Sequence, residues 1–301
     1  MNQNTKKVIL IVGPTAIGKT QVSIEVAKTL QTDIISCDSR QFYKELEIGS
    51  APPSKKELNE VKHHFIHNLS INDNYNAGKF EIDAINLIEK LHNTNDIIIV
   101  VGGSGLYVDA ICKGFDKLPA ISKQTREKIT SDYKSKGLDW LKKQVKSIDP
   151  EKYSNYESNN PHRLLRALEV FKETGKNLSS FRSNTIKKRP FDIIKIGLNI
   201  ERNILYERIN KRVDIMMRNG LLEEANLLLN FQHKNALQTV GYKELFAFLN
   251  NECTLQEAIQ NIKRNTRRFA KRQLTWFRKD KNIKWFKPNQ LIEIKELISK
   301  L

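Results

Sequence analysis

Val8-Ile9-Leu10-Ile11-Val12-Gly13-Pro14-Thr15-Ala16-Ile17-Gly18-Lys19-Thr20 decides the fold. Its first five residues form a continuous β-branched and leucine run, the composition of a strand buried on both faces of a parallel sheet. Gly13-Pro14 stops the run, and Gly13 to Thr20 matches GxxxxGK[ST]. In that pattern the glycines let the backbone curl so that successive N–H groups point inward at an anion, and the helix that follows adds partial positive charge. Lys19 reaches the terminal phosphate and Thr20 can ligate magnesium. Val22, Val26, Ala27 and Leu30 then recur at helical spacing, completing a strand, loop and helix, the first half of a βαβ unit. Gly13, Pro14, Thr15, Ala16, Ile17, Gly18, Lys19 and Thr20 are therefore the candidates for binding a diphosphate or the phosphates of a nucleotide. The loop names a ligand class and no reaction; ATP or GTP chemistry is its commonest use.

Further strands are expected at Ile34-Ile35, Ile97 to Val101 and Ile193 to Leu198, alternating with helical stretches. That alternation predicts an α/β protein with a P-loop NTPase-like open parallel sheet covered by helices on both faces. Between Lys113 and Lys188 strand-like runs disappear, while Lys, Ser, Asn and Arg become frequent and the apolar residues take helical spacing. This predicts a helical insertion over 113–188, hinged near Gly114 and Pro190, on a core of 1–112 and 189–301. From Ile200 onward the chain reads as mostly helical. Its longest pattern is Leu255 to Phe277. Leu255, Ile259, Ile262, Thr266, Phe269, Ala270, Gln273, Leu274 and Phe277 fall on one side of a helix, and Lys263, Arg264, Arg267, Arg268, Lys271 and Arg272 on the other. Six like charges at such spacings repel one another; a bound polyanion relieves that repulsion, which favours a phosphate-binding face over a merely solvated one.

The 301 residues carry 51 Lys and Arg against 34 Asp and Glu, a net charge of +17 that favours nucleic acid, phosphorylated substrates or anionic surfaces as partners. No apolar run reaches membrane-spanning length, and Met1 to Lys7 leads straight into the first strand, so neither a signal peptide nor a span is expected. Cys37, Cys112 and Cys253 show no paired spacing, which argues against a disulfide scaffold or a cysteine-based zinc site and fits a reducing cytoplasm.

Asp38 in Asp38-Ser39-Arg40-Gln41-Phe42-Tyr43 follows the second strand. The carboxyl ends of neighbouring strands face one crevice, so Asp38 is expected near the phosphate loop. A carboxylate there binds magnesium, accepts a proton from an attacking amine or hydroxyl, or simply caps a helix. The third strand ends in Val101-Gly102-Gly103-Ser104-Gly105-Leu106-Tyr107, a second hydroxyl-bearing turn at the same edge. His63-His64 suggests metal at first sight, but with no cysteines or carboxylate cluster beside it a packing or hydrogen-bonding role is preferred.

GPTAIGKT, DSRQFY, His63-His64, VGGSGLY, Arg163-Leu164-Leu165-Arg166-Ala167-Leu168-Glu169-Val170 with Thr174-Gly175, the stretch from Leu205 to Met216, Gly241-Tyr242-Lys243-Glu244 and Arg268 to Arg278 occur in one order. From about residue 8 to residue 278 the chain resembles the tRNA dimethylallyltransferases, bacterial type. The resemblance implies transfer of a dimethylallyl group from dimethylallyl diphosphate to the exocyclic amine of the adenine 3′ of the anticodon. By that resemblance Asp38 takes the proton of the amine, Thr15 contacts the bridging oxygen and Arg212 stabilises the departing diphosphate. It also implies contacts with the tRNA anticodon stem-loop by Asp38, Ser39, Arg40, Gln41, Ser104, Arg126, His162, Arg163, Leu164, Leu165 and Arg166. For Arg163 and Arg166 an ion pair with Glu169 is the alternative. Magnesium held through Thr20 is the implied cofactor, and a cytoplasmic monomer the implied form.

Three positions depart from the family pattern. Ser104 replaces the usual Thr, Gly49-Ser50-Ala51-Pro52-Pro53 lacks the usual lysine, and Asn160 stands where an Asp commonly precedes the arginine block. A Cys/His zinc finger of the sort seen in eukaryotic relatives is also missing. The rival reading is an ATP-dependent P-loop kinase acting on a small anionic substrate.

Overall fold

The computed structural model describes residues 6–156, 160–183 and 185–301; the first five residues, 157–159 and 184, although inside the segments assigned above, lie outside the described residues. Six parallel strands form one sheet: β1 (Lys7–Val12), β2 (Ile34–Ser36), β3 (His63–His64), β4 (Ile97–Gly102), β5 (Asp192–Leu198) and β6 (Lys284–Phe286), in the order β3-β2-β4-β1-β5-β6. β1 lies between β4 and β5, with Leu10 opposite both Val100 and Lys195. Val8 to Val12 are all fully buried, so both faces of β1 are covered, as its uninterrupted apolar run requires. The open parallel α/β sheet expected from the alternation of strands and helices is the fold observed. β3 and β6 were not anticipated. They are short edge strands built around histidines or a lysine, and pairing with the neighbouring strand, rather than local composition, makes them extended.

The helices of the sheet unit are α1 (Lys19–Leu30), α2 (Lys55–Glu60), α3 (Ala77–Leu91), α4 (Gly105–Cys112) and, after the insertion, α7 (Arg202–Arg218), α8 (Leu221–Leu227), α9 (Tyr242–Leu249), α10 (Leu255–Phe277) and α11 (Leu291–Ser299). Ile9 and Ile11 of β1 share one core with Ile24 of α1, Ile209 of α7, Ala270 of α10 and Ile294 of α11. Among the described residues no helix is long and apolar enough to cross a membrane.

Residues Lys113–Lys187 form a second compact unit, the rest of the chain up to Cys112 and from Lys188 the first. The second unit contains α5 (Lys123–Ile148), interrupted at Gly137 by a left-handed φ of 78°, and α6 (Pro161–Thr174). Ile129, Leu141 and Val145 of α5 pack on Leu164, Ala167 and Leu168 of α6 to give this unit its own core. In the sheet unit the returning chain is pinned by Arg189. Its guanidinium donates to the Ile111 and Ala110 carbonyls at 2.8 and 2.5 Å and to Glu81 at 3.1 Å. A buried guanidinium needs such partners, because stripping its water without replacement is far costlier than the pair's own attraction.

Glu224 performs a similar task for the loop after β2. Its carboxylate accepts the Ile48 and Gly49 N–H groups at 2.7 and 2.9 Å and the Tyr242 hydroxyl at 2.6 Å. The Tyr242 ring is fully buried, and burial with the adjacent carboxylate pushes its hydroxyl pKa up, keeping it a donor. Removing the acceptor strands two N–H groups and a phenol. Glu224→Ala is therefore expected to lower unfolding free energy by roughly 1–3 kcal/mol in urea titration, whereas Glu224→Gln, which keeps one of the two acceptor oxygens, should lose less.

Candidate functional site

Loops from the carboxyl ends of β1, β2 and β4 meet at one edge of the sheet because β2, β4 and β1 are adjacent and parallel. The β1 loop carries the GxxxxGK[ST] pattern expected of a phosphate cradle. Gly18 has φ 103° at the start of α1, a left-handed turn that brings the loop N–H groups around to the helix N-terminus and that a side chain would strain. Lys19 turns back into the loop and donates to the Gly13 and Pro14 carbonyls at 3.1 and 2.9 Å. Burial lowers its pKa to about 8; the Asp38 carboxylate opposes the shift and the Arg212 guanidinium adds to it. Arg212, projecting from α7, is itself held below its ordinary value by burial, partly offset by Glu57 and Asp38. Lys19, Asp38 and Arg212 thus stand within one electrostatic neighbourhood, two cations and one anion beside the glycine loop. Thr20 is the second residue of α1, directly after Lys19.

Asp38 is no helix cap: turns follow it, and its carboxylate accepts the Arg40 N–H at 3.0 Å, two residues on. That Asx-type bond uses one oxygen and fixes the carboxylate at the crevice. Ser104 ties this loop to the β4 turn, accepting the Ser39 N–H at 3.1 Å while its hydroxyl donates to the Ser39 hydroxyl at 3.2 Å. Gln41 receives the Ser36 hydroxyl at 3.0 Å and donates to the Ala51 carbonyl at 3.0 Å. Below them Phe42, from the loop after β2, packs on Tyr107 and Phe80 with ring centroids 5.5 Å away. The aromatic letters of the two loop blocks hold the polar ones in place.

In the second unit Arg126 and Arg166 both face Glu169, at 3.8 and 3.6 Å, and Arg166 also donates to the Pro119 carbonyl at 3.2 Å. The ion pair of Arg166 with Glu169 weighed from the sequence is present. The pairs leave Arg126 with more than half of its side chain exposed. His162 and Arg163 are exposed on the first turn of α6. Leu164 is fully enclosed in the unit's core and Leu165 packs against it. The Leu164 side chain therefore anchors α6, which leaves its backbone for any contact of the kind the resemblance implies. Asn160 occupies the N-cap position of α6 without a side-chain capping bond.

The basic stripe on α10 divides. Lys263 pairs with Asp214 of α7 at 2.5 Å, and Arg267 donates to Asn210 at 2.7 Å and lies over the Tyr206 ring. These two cations fasten α10 to α7, so two of the six cations expected to form a phosphate-binding face have protein partners instead. Arg264, Arg268, Lys271 and Arg272 are exposed, and two aromatic side chains, Phe269 and Trp276, are exposed beside them. Gln273, grouped above with the apolar residues, is buried and bonded to Thr15 and Gly103. A carboxamide on an apolar stripe is a signal of its own, since buried amides need partners. His63 and His64 make hydrogen bonds: His64 Nε2 lies 2.7 Å from Asp33 and His63 Nδ1 lies 2.8 Å from the Val61 carbonyl.

Known proteins resemble this chain throughout. Residues 41–280 match the family model described as IPP transferase. The chain is 53% identical over 278 residues to a tRNA dimethylallyltransferase of Christiangramia forsetii, covering 92% of each. It is 51% identical to tRNA dimethylallyltransferase 2 of Azobacteroides pseudotrichonymphae, covering 96% of this chain and 94% of the relative. Among solved structures, the full-length tRNA isopentenylpyrophosphate transferase of Bacillus halodurans superposes with a TM-score of 0.73 at 36% identity, over 98% of this chain and 96% of that one. A eukaryotic dimethylallyltransferase solved acting on tRNA gives 0.73 at 30% identity, over 91% of this chain and 70% of that one. With matches of this extent on a shared fold, the chain belongs to the IPP transferase family, the prenyltransferases named tRNA dimethylallyltransferases.

Proposed function

We propose that this protein transfers the dimethylallyl group of dimethylallyl diphosphate to the exocyclic amine of the adenine 3′ of the anticodon in tRNA. The observation that carries the reading is the grouping of Lys19, Asp38 and Arg212 around a phosphate cradle in a chain of this family. An aromatic amine is a weak nucleophile, so the barrier falls chiefly by stabilising the leaving group. The cradle N–H groups, Lys19 and Arg212 hold the diphosphate as the allylic C–O bond breaks. The adenine nitrogen bonds to the allylic carbon and gives its proton to the free oxygen of Asp38, the other being occupied by Arg40. Thr15, in the loop after β1, contacts the bridging oxygen through its hydroxyl, the role the family resemblance implies.

Magnesium fits at Thr20, whose hydroxyl at the N-terminus of α1 offers an oxygen ligand of the kind magnesium takes alongside substrate phosphates. Bound there, it would neutralise further diphosphate charge. The reacting base must leave the stacked anticodon loop to reach the donor. Ser39, Arg40, Gln41 and Ser104 line its entry, with Ser104 and Gln41 fixing the loops. Arg126, His162, Arg163, Leu165 and Arg166 of the second unit grip the stem-loop, and the exposed cations of α10 receive its phosphates. The protein acts as a monomer, and its tRNA and donor meet it in the cytoplasm.

Incubation with unmodified tRNA, magnesium and labelled dimethylallyl diphosphate should place label in the tRNA. Phosphate release from labelled ATP without tRNA modification would instead make the protein an ATP-dependent enzyme. Asp38→Ala is expected to lose about a hundredfold or more in turnover while keeping donor affinity, measured by single-turnover kinetics and calorimetry; near-normal turnover would reduce Asp38 to a loop-forming residue.

The depressed Lys19 pKa gives donor binding a defined pH dependence. A bound diphosphate favours the charged amine and raises that pKa, so binding takes up a proton only above about 8. Affinity should therefore be nearly flat from pH 7 to 8 and fall by up to about tenfold per unit above that. Lys19→Met should bind weakly at all pH values without this slope, which titration calorimetry in several buffers will measure.

For tRNA, neutralising Arg264, Arg268 and Lys271 together should weaken binding and flatten its salt dependence by roughly 0.7–0.9 in log–log slope for each phosphate no longer neutralised. Replacing Lys263 and Arg267 should chiefly lower the melting temperature. An unchanged salt slope in the first variant would return that face to simple solvation.

A further inference from the structure

Gln273 is one of the few polar side chains buried in this protein, with 6% of its surface exposed, and it lies on a helix otherwise rich in exposed cations. Its carboxamide bridges two loops in a specific orientation. Oε1 accepts the Thr15 N–H at 2.9 Å and Nε2 donates to the Gly103 carbonyl at 2.9 Å. The orientation is unambiguous: flipped, the amide would set donor against donor at Thr15 and acceptor against acceptor at Gly103. Thr15 belongs to the loop after β1 and Gly103 to the turn after β4, adjacent strands whose loops form the two lips of the crevice. The fit is close, since a methyl group on Gly103 would come within 2.4 Å of Nε2 and 3.2 Å of the Gly13 carbonyl. Ala270 and Phe277, both buried, seat α10 on either side of this contact.

We infer that Gln273 is a positioning residue for the transfer reaction, a clamp that fixes the phosphate loop at Thr15 against the β4 turn from the helix that also presents cations to RNA. Three consequences follow. The Thr15 N–H is committed to Gln273, so the cradle's anion-binding donors are those from Ala16 onward. The Thr15 hydroxyl is carried on a backbone that cannot swing, which holds it at the bridging oxygen. Lys271 and Arg272, on the exposed face, are joined through one or two residues of rigid helix to the Thr15 amide, so the RNA-facing surface and the donor site share one mechanical frame. Loss of the clamp lets Thr15 drift, and misplacement of about 1 Å at a reacting centre costs on the order of 100-fold.

This inference rests on the transfer reaction proposed above, and two variants test it. Gln273→Met keeps the volume and removes both hydrogen bonds. Gln273→Glu keeps the acceptor for Thr15 but, when ionised, opposes the Gly103 carbonyl; once protonated, its hydroxyl donates to that carbonyl and the other oxygen still accepts from Thr15. Burial raises a carboxyl pKa, so the Glu variant should recover as pH falls.

With both substrates saturating and well below the melting temperature of each variant, Gln273→Met is expected to lose 10- to 100-fold in kcat with tRNA Kd within about twofold. The ratio of Gln273→Glu to wild-type kcat should rise several-fold from pH 8.5 to pH 6, a response that a purely structural glutamine would not give. Hydrogen exchange read by mass spectrometry should show faster exchange over residues 13–20 in Gln273→Met. This readout needs no activity. If the wild type transfers no prenyl group, the reaction proposed above falls, while protection of the loop still decides for or against the clamp. Unchanged kcat in Gln273→Met, a flat ratio in Gln273→Glu, or unchanged loop exchange would each overturn it.

Discussion

The Lys19 ammonium has left water without gaining a full counter-charge. Two loop carbonyls, at 3.1 and 2.9 Å, replace part of its hydration, Asp38 helps through its field and Arg212 works against it. Neutral carbonyls cannot repay the desolvation of a cation in full, and the lowered pKa records the deficit. In the proposed reaction a bound diphosphate would close that deficit: its charge would satisfy Lys19 and Arg212 together, turning an electrostatic tension that costs the free protein stability into binding energy for a polyanionic leaving group. The sheet order makes the arrangement possible, because only adjacent parallel strands bring the β1, β2 and β4 loops to one edge.

Charge of that kind needs walls that do not relax. The loop after β2 is held from below by Phe42 in its aromatic cluster, from the side by Ser104, and further along by the Glu224 carboxylate on Ile48 and Gly49. The phosphate loop is held by Gln273 and by Arg208, which donates to the Ile17 carbonyl at 3.2 Å. Apart from the aromatic packing of Phe42, in each case a side chain distant in sequence satisfies a backbone group in a loop. Preorganisation of this sort lets fixed dipoles and charges act without rearranging as the leaving group departs.

The sequence was legible where its signals were local. The run from Val8 to Val12, the glycine loop and the helical spacing after it are set by neighbours in the chain, and the structure follows them closely. Ile97 to Val101 and Ile193 to Leu198 read as strands for the same reason. His63-His64 and Lys284 to Phe286 did not, since their extended form comes from the sheet edge they join. Strand adjacency was enough to bring Asp38 to the crevice, but its Asx-type bond to Arg40 depends on a turn that composition alone did not separate from a cap. Gln273 was visible as a residue and invisible as a clamp: helical spacing puts it on the buried face without saying that Thr15 and Gly103 wait there.

A net charge of +17 invites a single explanation, and the structure divides it into three. Lys19 and Arg212 are half-buried and, in the proposed reaction, serve the anion site. Lys263, Arg267 and Arg189 are spent on architecture, where a carboxylate, an amide or a carbonyl pairs each of them. Only the exposed remainder, such as Arg264, Arg268 and Lys271, is free to respond to an outside polyanion and to salt. Screening acts on the last group more than on the first, because partly buried charges feel less of the ionic atmosphere. Raising ionic strength should therefore separate capture of the RNA from capture of the donor. That separation follows from where the cations lie and not from how many there are.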